Sequence, residues 1–215
     1  MTQARADGAV ALAMTGASGA QYGLRLLECL IGAGRPVHLM LSKPGQLVIA
    51  METEEKLPGR LPDIQRHLSG RYGAAPGQLQ VHGPEEWTAC VASGSGAPDA
   101  MVVCPCSMAT LSAIAVGASR SLVERAADVM LKERRTLILV PRETPFSVIH
   151  LRNMLTVAEA GGLILPANPG FYHRPQDVGD LVDYVVARVL DHLGIDQSLM
   201  PRWGQEGGPE GPAET

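Results

Sequence analysis

Aromatic residues are scarce in this chain of 215 residues, which has two Trp, four Tyr and two Phe. Charged residues, at 19%, are also fewer than in an average soluble domain. No apolar run reaches the roughly 18 residues that predict a membrane-spanning helix, and the first residues lack the basic and apolar regions of a signal peptide. We therefore expect a cytoplasmic protein that has no membrane partner and buries part of its surface against other subunits.

Motifs for metals and dinucleotides are absent as well. The cysteines, Cys29, Cys90, Cys104 and Cys106, form no C-x-x-C pair and no Cys/His spacing typical of zinc sites. There is no D-D-x-x-D motif for magnesium, and the glycines after the first apolar segment fit neither G-x-G-x-x-G nor the P-loop. The net charge of -4 disfavours a nucleic-acid partner. We expect reduced thiols, no metal and no nucleic acid.

Short apolar segments alternate with segments of helical spacing. Strands are predicted over 9–15, 36–41, 79–82, 100–104, 136–140 and 163–165, and helices over 20–31, 46–51, 63–68, 107–116, 122–134, 148–160 and 177–193. This alternation predicts an α/β fold, a single-domain doubly wound (Rossmann/flavodoxin-like) parallel sheet with helices on both faces. The domain is expected to span 1–203, and the Gly/Pro/Glu-rich segment 204–215 is expected to be a disordered tail.

Hydroxyl, charged or proline residues follow each strong strand. Gly16-Ala17-Ser18-Gly19 comes after the first strand, Ser42-Lys43 after the second, and Ser107 opens the helix after the 100–104 strand. Ligands bind beyond the carboxyl ends of the strands in doubly wound sheets, so these segments are predicted to share one ligand. Two helix starts that carry hydroxyls suit a monophosphate on a ribityl-like chain, as in flavin mononucleotide (FMN).

Each of these segments has a structural alternative. The Gly16–Gly19 segment is also compatible with a tight turn that binds nothing. Arg142-Glu143 could be a surface ion pair, or an anion-binding arginine beside a carboxyl that moves a proton. His173 is compatible with a hydrogen-bonded loop residue or a catalytic one, and Cys104 and Cys106 with buried residues or nucleophiles.

Several of these segments resemble the flavin prenyltransferases, the UbiX family, from about Val10 to Trp203. The resemblance is carried by Thr15–Ala20 (TGASGA), Ser42-Lys43, Pro105–Thr110 (PCSMAT), the 125–135 segment, Arg142–Pro145 (RETP) and Phe171–Pro175 (FYHRP). The resemblance is close to the pseudomonad form of the family, which shares the longer segment around 53–98.

The resemblance implies an activity and an assembly. It implies transfer of a dimethylallyl group from dimethylallyl monophosphate to reduced FMN without a metal. The product, prenylated FMN, would serve a UbiD-type decarboxylase in ubiquinone synthesis. The family also implies a homododecamer with active sites at subunit boundaries.

The family's functional positions fall on three sets of residues of this chain. The FMN contacts would be Gly16, Ala17, Ser18, Ser42, Ser107, Met108, Ala109, Thr110 and Arg142. The contacts to the prenyl phosphate would be Tyr172, Arg188, Lys132 and Arg125. The catalytic positions would be Glu143, Glu52, Ser18, Trp87 and Lys132, and Trp203 matches a further active-site position.

We expect fixed cations and a proton to assist the departing phosphate, because electrostatic groups arranged beforehand are usually the largest catalytic contribution. Glu143 would carry the proton, and the indole face of Trp87 would flank an allyl cation. Two other functions remain open. One is an FMN-dependent cysteine decarboxylase of the same fold, and the other is a flavin-binding protein without catalysis.

Overall fold

A computed structural model of the chain describes residues 8–200. Trp203 and the predicted tail, 204–215, lie outside the described residues. None of the helices within 8–200 has the length and apolar character needed to cross a bilayer.

Six strands in this part of the chain form one sheet in the order β3-β2-β1-β4-β5-β6. All neighbouring strands are parallel, and this order is that of the Rossmann fold. The predicted fold class is confirmed. The strands are β1 (Val10–Met14), β2 (Val37–Leu41), β3 (Leu79–His82), β4 (Ala100–Cys106), β5 (Thr136–Pro141) and β6 (Leu163–Ile164).

Seven α-helices within the described residues connect or follow these strands. They are α1 (Ala20–Gly32), α2 (Lys43–Glu52), α3 (Leu61–Tyr72), α4 (Met108–Ala115), α5 (Leu122–Lys132), α6 (Val148–Glu159) and α7 (Val178–Leu193), and a short 3₁₀ turn covers Cys90–Ala92. Each of the predicted helices is present, with ends that differ by a few residues.

Two hydrophobic clusters cover the two faces of the sheet. Along β1, Leu12 belongs to the cluster that includes side chains of α1, α3 and α7. The next residue, Ala13, belongs to the cluster that includes side chains of α4, α5 and α6. This alternation follows from the two-residue period of a strand. Because both faces are covered, every residue of β1 is buried.

The prediction that β4 ends at Cys104 is wrong, since the strand continues through Pro105 to Cys106. Proline lacks an amide donor but keeps its carbonyl. The Pro105 carbonyl accepts hydrogen bonds from the backbone N–H of Thr15 at 3.2 Å and from its hydroxyl at 2.8 Å. The end of β4 is therefore bound to the end of β1.

The start of α2 also differs from the prediction, because the helix begins at Lys43 rather than Gln46. Ser42 is its N-cap, and Pro44 lies in its first turn, where a missing amide donor costs nothing. The earlier start places the helix directly at the carboxyl end of β2.

Candidate active site

The sheet order places a crevice between the carboxyl ends of β1 and β4. The chain leaves β1 for one edge of the sheet and leaves β4 for the other, so the helices that follow them cover opposite faces. Such a switch point is where doubly wound sheets bind ligands. The residues predicted to bind FMN come from the loops around this crevice.

One hydrogen-bonded link joins the loops after β1 and β4. The Thr15 hydroxyl accepts a hydrogen bond from the Ser107 amide at 2.8 Å. Ser107 is the N-cap of α4, and its side-chain oxygen accepts from the Thr110 amide at 3.3 Å and lies 3.1 Å from the Thr110 hydroxyl. The next amides of the first turn, those of Met108 and Ala109, have no acceptor within their own helix. The start of α4 can therefore bind an anion.

Close backbone packing brings Ser42 to the edge of the sheet at which the crevice lies. A Cβ added to Gly16 would lie 2.5 Å from the Cβ of Pro44, and one added to Gly45 would lie 2.5 Å from the Met14 carbonyl oxygen. The Ser42 amide donates to that Met14 oxygen at 3.1 Å. Glycine at both positions lets the start of α2 pack against the loop that carries Ala17.

Glu52 occupies the start of α1. Its carboxylate accepts hydrogen bonds from the amides of Gly19 at 2.7 Å and Ala20 at 3.1 Å. Burial acts to raise the pKa of Glu52, but hydrogen bonds from the Ser18 side chain and these amides outweigh it, and the charge of Arg142 adds to them. The pKa of Glu52 is therefore below its ordinary value. The anion at this helix start is the chain's own carboxylate, which leaves the start of α4 for a phosphate.

Arg142 links the end of β5 to the β1 loop. Its Nε donates to the Ser18 carbonyl at 3.2 Å, and its amide lies 3.4 Å from the Cys106 carbonyl. The half-buried Glu143 accepts from the Thr144 amide at 3.2 Å. Arg142 therefore directs its guanidinium toward the crevice, which favours the anion-binding interpretation over a surface ion pair.

Tyr172 and Arg188 come together on the far side of β5, where the loop after β6 meets α7. The Tyr172 ring makes an edge contact with Tyr184 at 5.8 Å between centroids. Burial and the hydrogen bond with Tyr184 raise the pKa of Tyr172, whereas the charge of Arg188 acts to lower it. Arg188 is half exposed and pairs with Asp191 at 2.9 Å. This pair of residues can bind an anion from one side.

His173 packs in the same cluster. Its ring stacks on Tyr184 with centroids 5.5 Å apart. Both of its ring nitrogens are buried and have no hydrogen-bond partner among the described residues. The interpretation of His173 as a hydrogen-bonded loop residue is therefore not supported, and stacking holds the ring in place.

Three predicted site residues lie elsewhere in a single chain. Trp87 is 47% exposed and follows β3, two strands away from β1. Arg125 donates to the Ala92 carbonyl at 3.0 Å and pairs with Asp128 at 2.7 Å. Lys132 pairs with Glu133 in the last turn of α5, which leads into the amino end of β5, so it lies at the opposite edge of the sheet from the crevice.

A cavity of about 510 Å³ lies at that opposite edge. Its lining joins the end of α5 to the end of α6 and includes Lys132, Arg134, Arg135 and Glu159. Lys132 therefore faces this cavity in its own chain. It could contact a β1/β4 crevice only if that crevice belonged to a neighbouring subunit.

Cys104 and Cys106 are fully buried in β4. Burial raises the pKa of both thiols far above its ordinary value. The thiolate is the nucleophilic form of cysteine, so neither residue is reactive at neutral pH. The interpretation of both as buried residues is confirmed.

The Rossmann-type order, the crevice at the switch point and the anion-binding start of α4 define a nucleotide-binding α/β protein. Residues 2–190 match the family model described as Flavoprotein. The chain is 60% identical over 197 residues to the flavin prenyltransferase UbiX of Pseudomonas aeruginosa, covering 92% of this chain and 94% of that protein. It is 46% identical to the flavin prenyltransferase UbiX of Halalkalibacterium halodurans, covering 93% and 95%. The chain belongs to the flavin prenyltransferase (UbiX) family.

Solved structures agree with this assignment. A crystal structure of AnUbiX (PadA1) in complex with FMN and dimethylallyl pyrophosphate is 42% identical, with a TM-score of 0.82 and coverage of 93% of this chain and 98% of that one. A dodecameric FMN-dependent Ubix-like decarboxylase from Escherichia coli O157:H7 is 41% identical, with a TM-score of 0.80 and coverage of 91% and 99%. The FMN-dependent cysteine decarboxylase TvaF is 16% identical with a TM-score of 0.56, so it shares the fold alone.

Proposed function

We propose that this chain transfers a dimethylallyl group from dimethylallyl monophosphate to reduced FMN. The observation that carries the proposal is the convergence of Ser18, Ser107 and Arg142 on one crevice at the β1/β4 switch point. The chain's relatives named flavin prenyltransferase support it. A related structure that holds FMN together with dimethylallyl pyrophosphate supports the pairing of a flavin with a dimethylallyl donor.

The crevice fits FMN on the evidence of its own atoms. The start of α4 offers the amides of Met108 and Ala109 with the hydroxyls of Ser107 and Thr110 to a phosphate. The Ser42 hydroxyl and the backbone of 16–18 would hold the polar chain, because glycine at 16 leaves the loop without a side chain there. When bound, reduced FMN would supply the carbon and nitrogen nucleophiles of the reaction.

The leaving phosphate would be bound by Tyr172 and Arg188. The Tyr172 hydroxyl is a hydrogen-bond donor, and its pKa is raised, so it keeps its proton at neutral pH. Arg188 contributes a positive charge on α7 beside it. Groups held in place before the reaction stabilise developing charge without reorganising, which is the main source of rate enhancement expected here.

Glu143 is proposed to move the proton. It follows Arg142 directly at the carboxyl end of β5, and the Thr144 amide holds one of its oxygens. Glu52 would stabilise the loop beneath the flavin through the start of α1, with Ser18 as its hydrogen-bond partner. Trp87, a half-exposed indole, would flank the allyl cation from a neighbouring subunit.

Assembly into a homododecamer is part of the proposal. Four apolar side chains of α6, Val148, Ile149, Leu151 and Leu155, are each more than half exposed. Exposed apolar patches of this kind mark protein interfaces. The related E. coli protein is described as dodecameric. A neighbouring subunit would then bring Lys132 and Arg125 to the phosphate, which a single chain cannot do.

The resemblance to the family also suggests a fate for the product. We infer that prenylated FMN leaves this chain for a UbiD-type decarboxylase of the ubiquinone pathway in the cytoplasm. The start of α4 would bind the phosphate by backbone amides, so release of the product would need no covalent bond to break.

Anaerobic mixing tests the function. The protein is loaded with reduced FMN and mixed with dimethylallyl monophosphate, and the flavin is followed by absorbance and mass. We expect the flavin mass to increase by one dimethylallyl group, with the diphosphate ester as a slower donor. Unchanged flavin on mixing would instead make the chain a flavin-binding protein.

A variant pair tests the acid–base step. Glu143→Gln should slow ring formation in a single turnover by about 100-fold or more. Glu54→Gln, at an exposed position near the end of α2, should leave the rate unchanged. Equal rates for Glu143→Gln and the parent would remove Glu143 from the proton transfer. Release of carbon dioxide from cysteine-terminated peptides would revive the decarboxylase alternative.

A further inference from the structure

Two histidines and a cysteine meet beneath the segment after β3, away from the β1/β4 crevice. Nδ1 of His38 lies 3.0 Å from Nε2 of His82. The sulfur of Cys90 lies 3.6 Å from both ring nitrogens of His38. One donor atom from each residue lies within 4.8 Å of the other two. We refer to these three residues as the His38 cluster.

Strand register creates this cluster. In the parallel pairing of β2 with β3, Met40 lies opposite His82 and His38 opposite Gln80. The neighbours of His82 and His38 along each strand, Val81 and Leu39, belong to the cluster on the α1 face. By the two-residue period of strands, His38 and His82 therefore face the opposite side. There the 3₁₀ turn at Cys90–Ala92 covers them.

Glu86 fixes the orientation of His82. One oxygen of Glu86 accepts from His82 Nδ1 at 3.0 Å, and the other accepts from the Gly83 amide at 3.0 Å. A neutral His82 that donates from Nδ1 has its lone pair on Nε2, the atom that faces His38. A carboxylate that holds the second nitrogen of an imidazole in this way is typical of histidines that ligate metals.

Two of the donor separations are close to those of a tetrahedral metal site, and all three donor atoms lie within 4.8 Å of one another. With bonds of about 2.0–2.1 Å to nitrogen and about 2.3 Å to sulfur, two nitrogens of such a site lie about 3.4 Å apart and nitrogen and sulfur about 3.6 Å apart. The separations around His38 are 3.0 and 3.6 Å. The two imidazoles lie head to head with ring centroids 5.3 Å apart, and the Cys90 sulfur lies over the face of His38, so Cys90 and one imidazole would rotate to share an ion.

We propose that His38, His82 and Cys90 bind one divalent transition-metal ion of the zinc class. Two imidazoles and a thiolate suit a borderline-soft ion, and a water molecule would take the fourth position. Neutral His38, which donates from Nδ1 to His82 Nε2, would carry its one proton on Nε2 instead and so free Nδ1 for the ion, and the Cys90 thiol would release one proton to solvent. The Glu86 carboxylate offsets the remaining positive charge through His82.

This site would hold the 83–92 segment against the edge of the sheet. The ligands come from β2, β3 and the 3₁₀ turn, so one ion would cross-link three parts of the chain. Trp87 lies on the segment between His82 and Cys90, so the ion would also restrict the position of this residue. The inference is independent of the proposed function, since none of the three ligands is assigned to flavin or donor.

Cobalt and zinc titrations of the untagged, chelator-treated full chain test the site. We expect one Co²⁺ per chain, with thiolate-to-cobalt charge transfer in the near ultraviolet and the intense visible bands of tetrahedral cobalt. Zn²⁺ should displace the cobalt. At about 100 times its Kd, zinc should raise the Tm by roughly 5–10 °C.

Matched variants assign the ligands. Cys90→Ala should abolish the charge-transfer band, whereas Cys29→Ala, at a half-buried cysteine of α1, should retain it. His82→Gln should weaken cobalt binding at least tenfold, with FMN binding as the check that the variant is folded. The absence of the band in the parent protein, or its persistence in Cys90→Ala, would overturn the proposal.

Discussion

The carboxylate of Glu52 lies 2.7 Å from the amide nitrogen of Gly19, the residue before α1. Gly19 has φ of 106°, a left-handed conformation that glycine adopts without strain. The end of α2 therefore supplies the negative charge that the positive start of α1 attracts. A second anion at this start would be repelled, which directs a phosphate group toward Ser107 and the start of α4.

Replacing Glu52 should therefore make stability less dependent on pH. Its pKa in the folded protein is below its ordinary value of 4.5, so its stabilising effect is complete at neutral pH and is lost as the pH falls through that lowered value. Glu52→Gln should lower the free energy of unfolding by about 1 kcal/mol at neutral pH. Denaturant titrations of parent and variant should converge as the medium becomes acidic.

Glu54→Gln is the control for that comparison. Glu54 is exposed two residues beyond Glu52, so its substitution removes the same charge without removing the contact to α1. Its unfolding free energy should match that of the parent at each pH. A constant difference between Glu52→Gln and the parent at all pH values would contradict the role of the charge.

Much of the site was predictable because parallel strands end at the same edge of a sheet. Ser18, Ser107 and Arg142 each follow an apolar strand, so their meeting at one crevice follows from the order of the elements. The position of Glu52 in the sequence did not predict its place in the site. It lies at the end of α2 and reaches the crevice only because α2 packs beside α1. The sequence allowed its assignment only through family resemblance.

The His38 cluster could not be predicted from the sequence, for a different reason. Its ligands lie 44 and 8 residues apart along the chain, which matches no zinc spacing. Their meeting depends on the register of β2 with β3 and on the 3₁₀ turn, in the segment whose sequence pattern is weakest. Local sequence patterns predict neither the register in which two strands pair nor the path of an irregular loop.

Ser107 provides a test of the phosphate-binding helix start. Ser107→Ala should remove the N-cap of α4, lower the unfolding free energy by about 1 kcal/mol and also weaken FMN binding by about tenfold, since a lost hydrogen bond to a charged group costs about 1.5 kcal/mol or more. Flavin fluorescence titration measures the second effect.

Ser121 offers a cap outside the site. Its hydroxyl accepts from the Glu124 amide at the start of α5, as Ser107 does for α4. Ser121→Ala should lower the free energy of unfolding by about as much as Ser107→Ala does, and it should leave FMN affinity unchanged. If both variants lost FMN affinity equally, the effect would come from general destabilisation and not from contact with phosphate.

The cysteines should differ in reactivity according to burial. Burial raises the pKa of Cys29 to about 11 and also raises that of Cys90, so both should react slowly with iodoacetamide in the native protein, faster as the pH increases. Cys104 and Cys106 are inaccessible within β4 and should react only after unfolding. Peptide mass spectrometry after timed labelling measures all four. Native labelling of either β4 cysteine would contradict the packing of that strand.

Replacing Arg188 should weaken binding of the prenyl donor and leave flavin binding unchanged. Arg188→Ala removes the positive charge beside Tyr172, so the KM for dimethylallyl monophosphate should increase by about 10–100-fold, as expected for a charged hydrogen bond of about 1.5–3 kcal/mol. Arg66→Ala is the matched control, because Arg66 pairs with Asp63 at 3.0 Å within one helix as Arg188 does with Asp191 at 2.9 Å. FMN affinity should be unchanged in both variants. Equal loss of donor and flavin binding in Arg188→Ala would indicate misfolding of the loop after β6, and an unchanged KM would place the phosphate elsewhere.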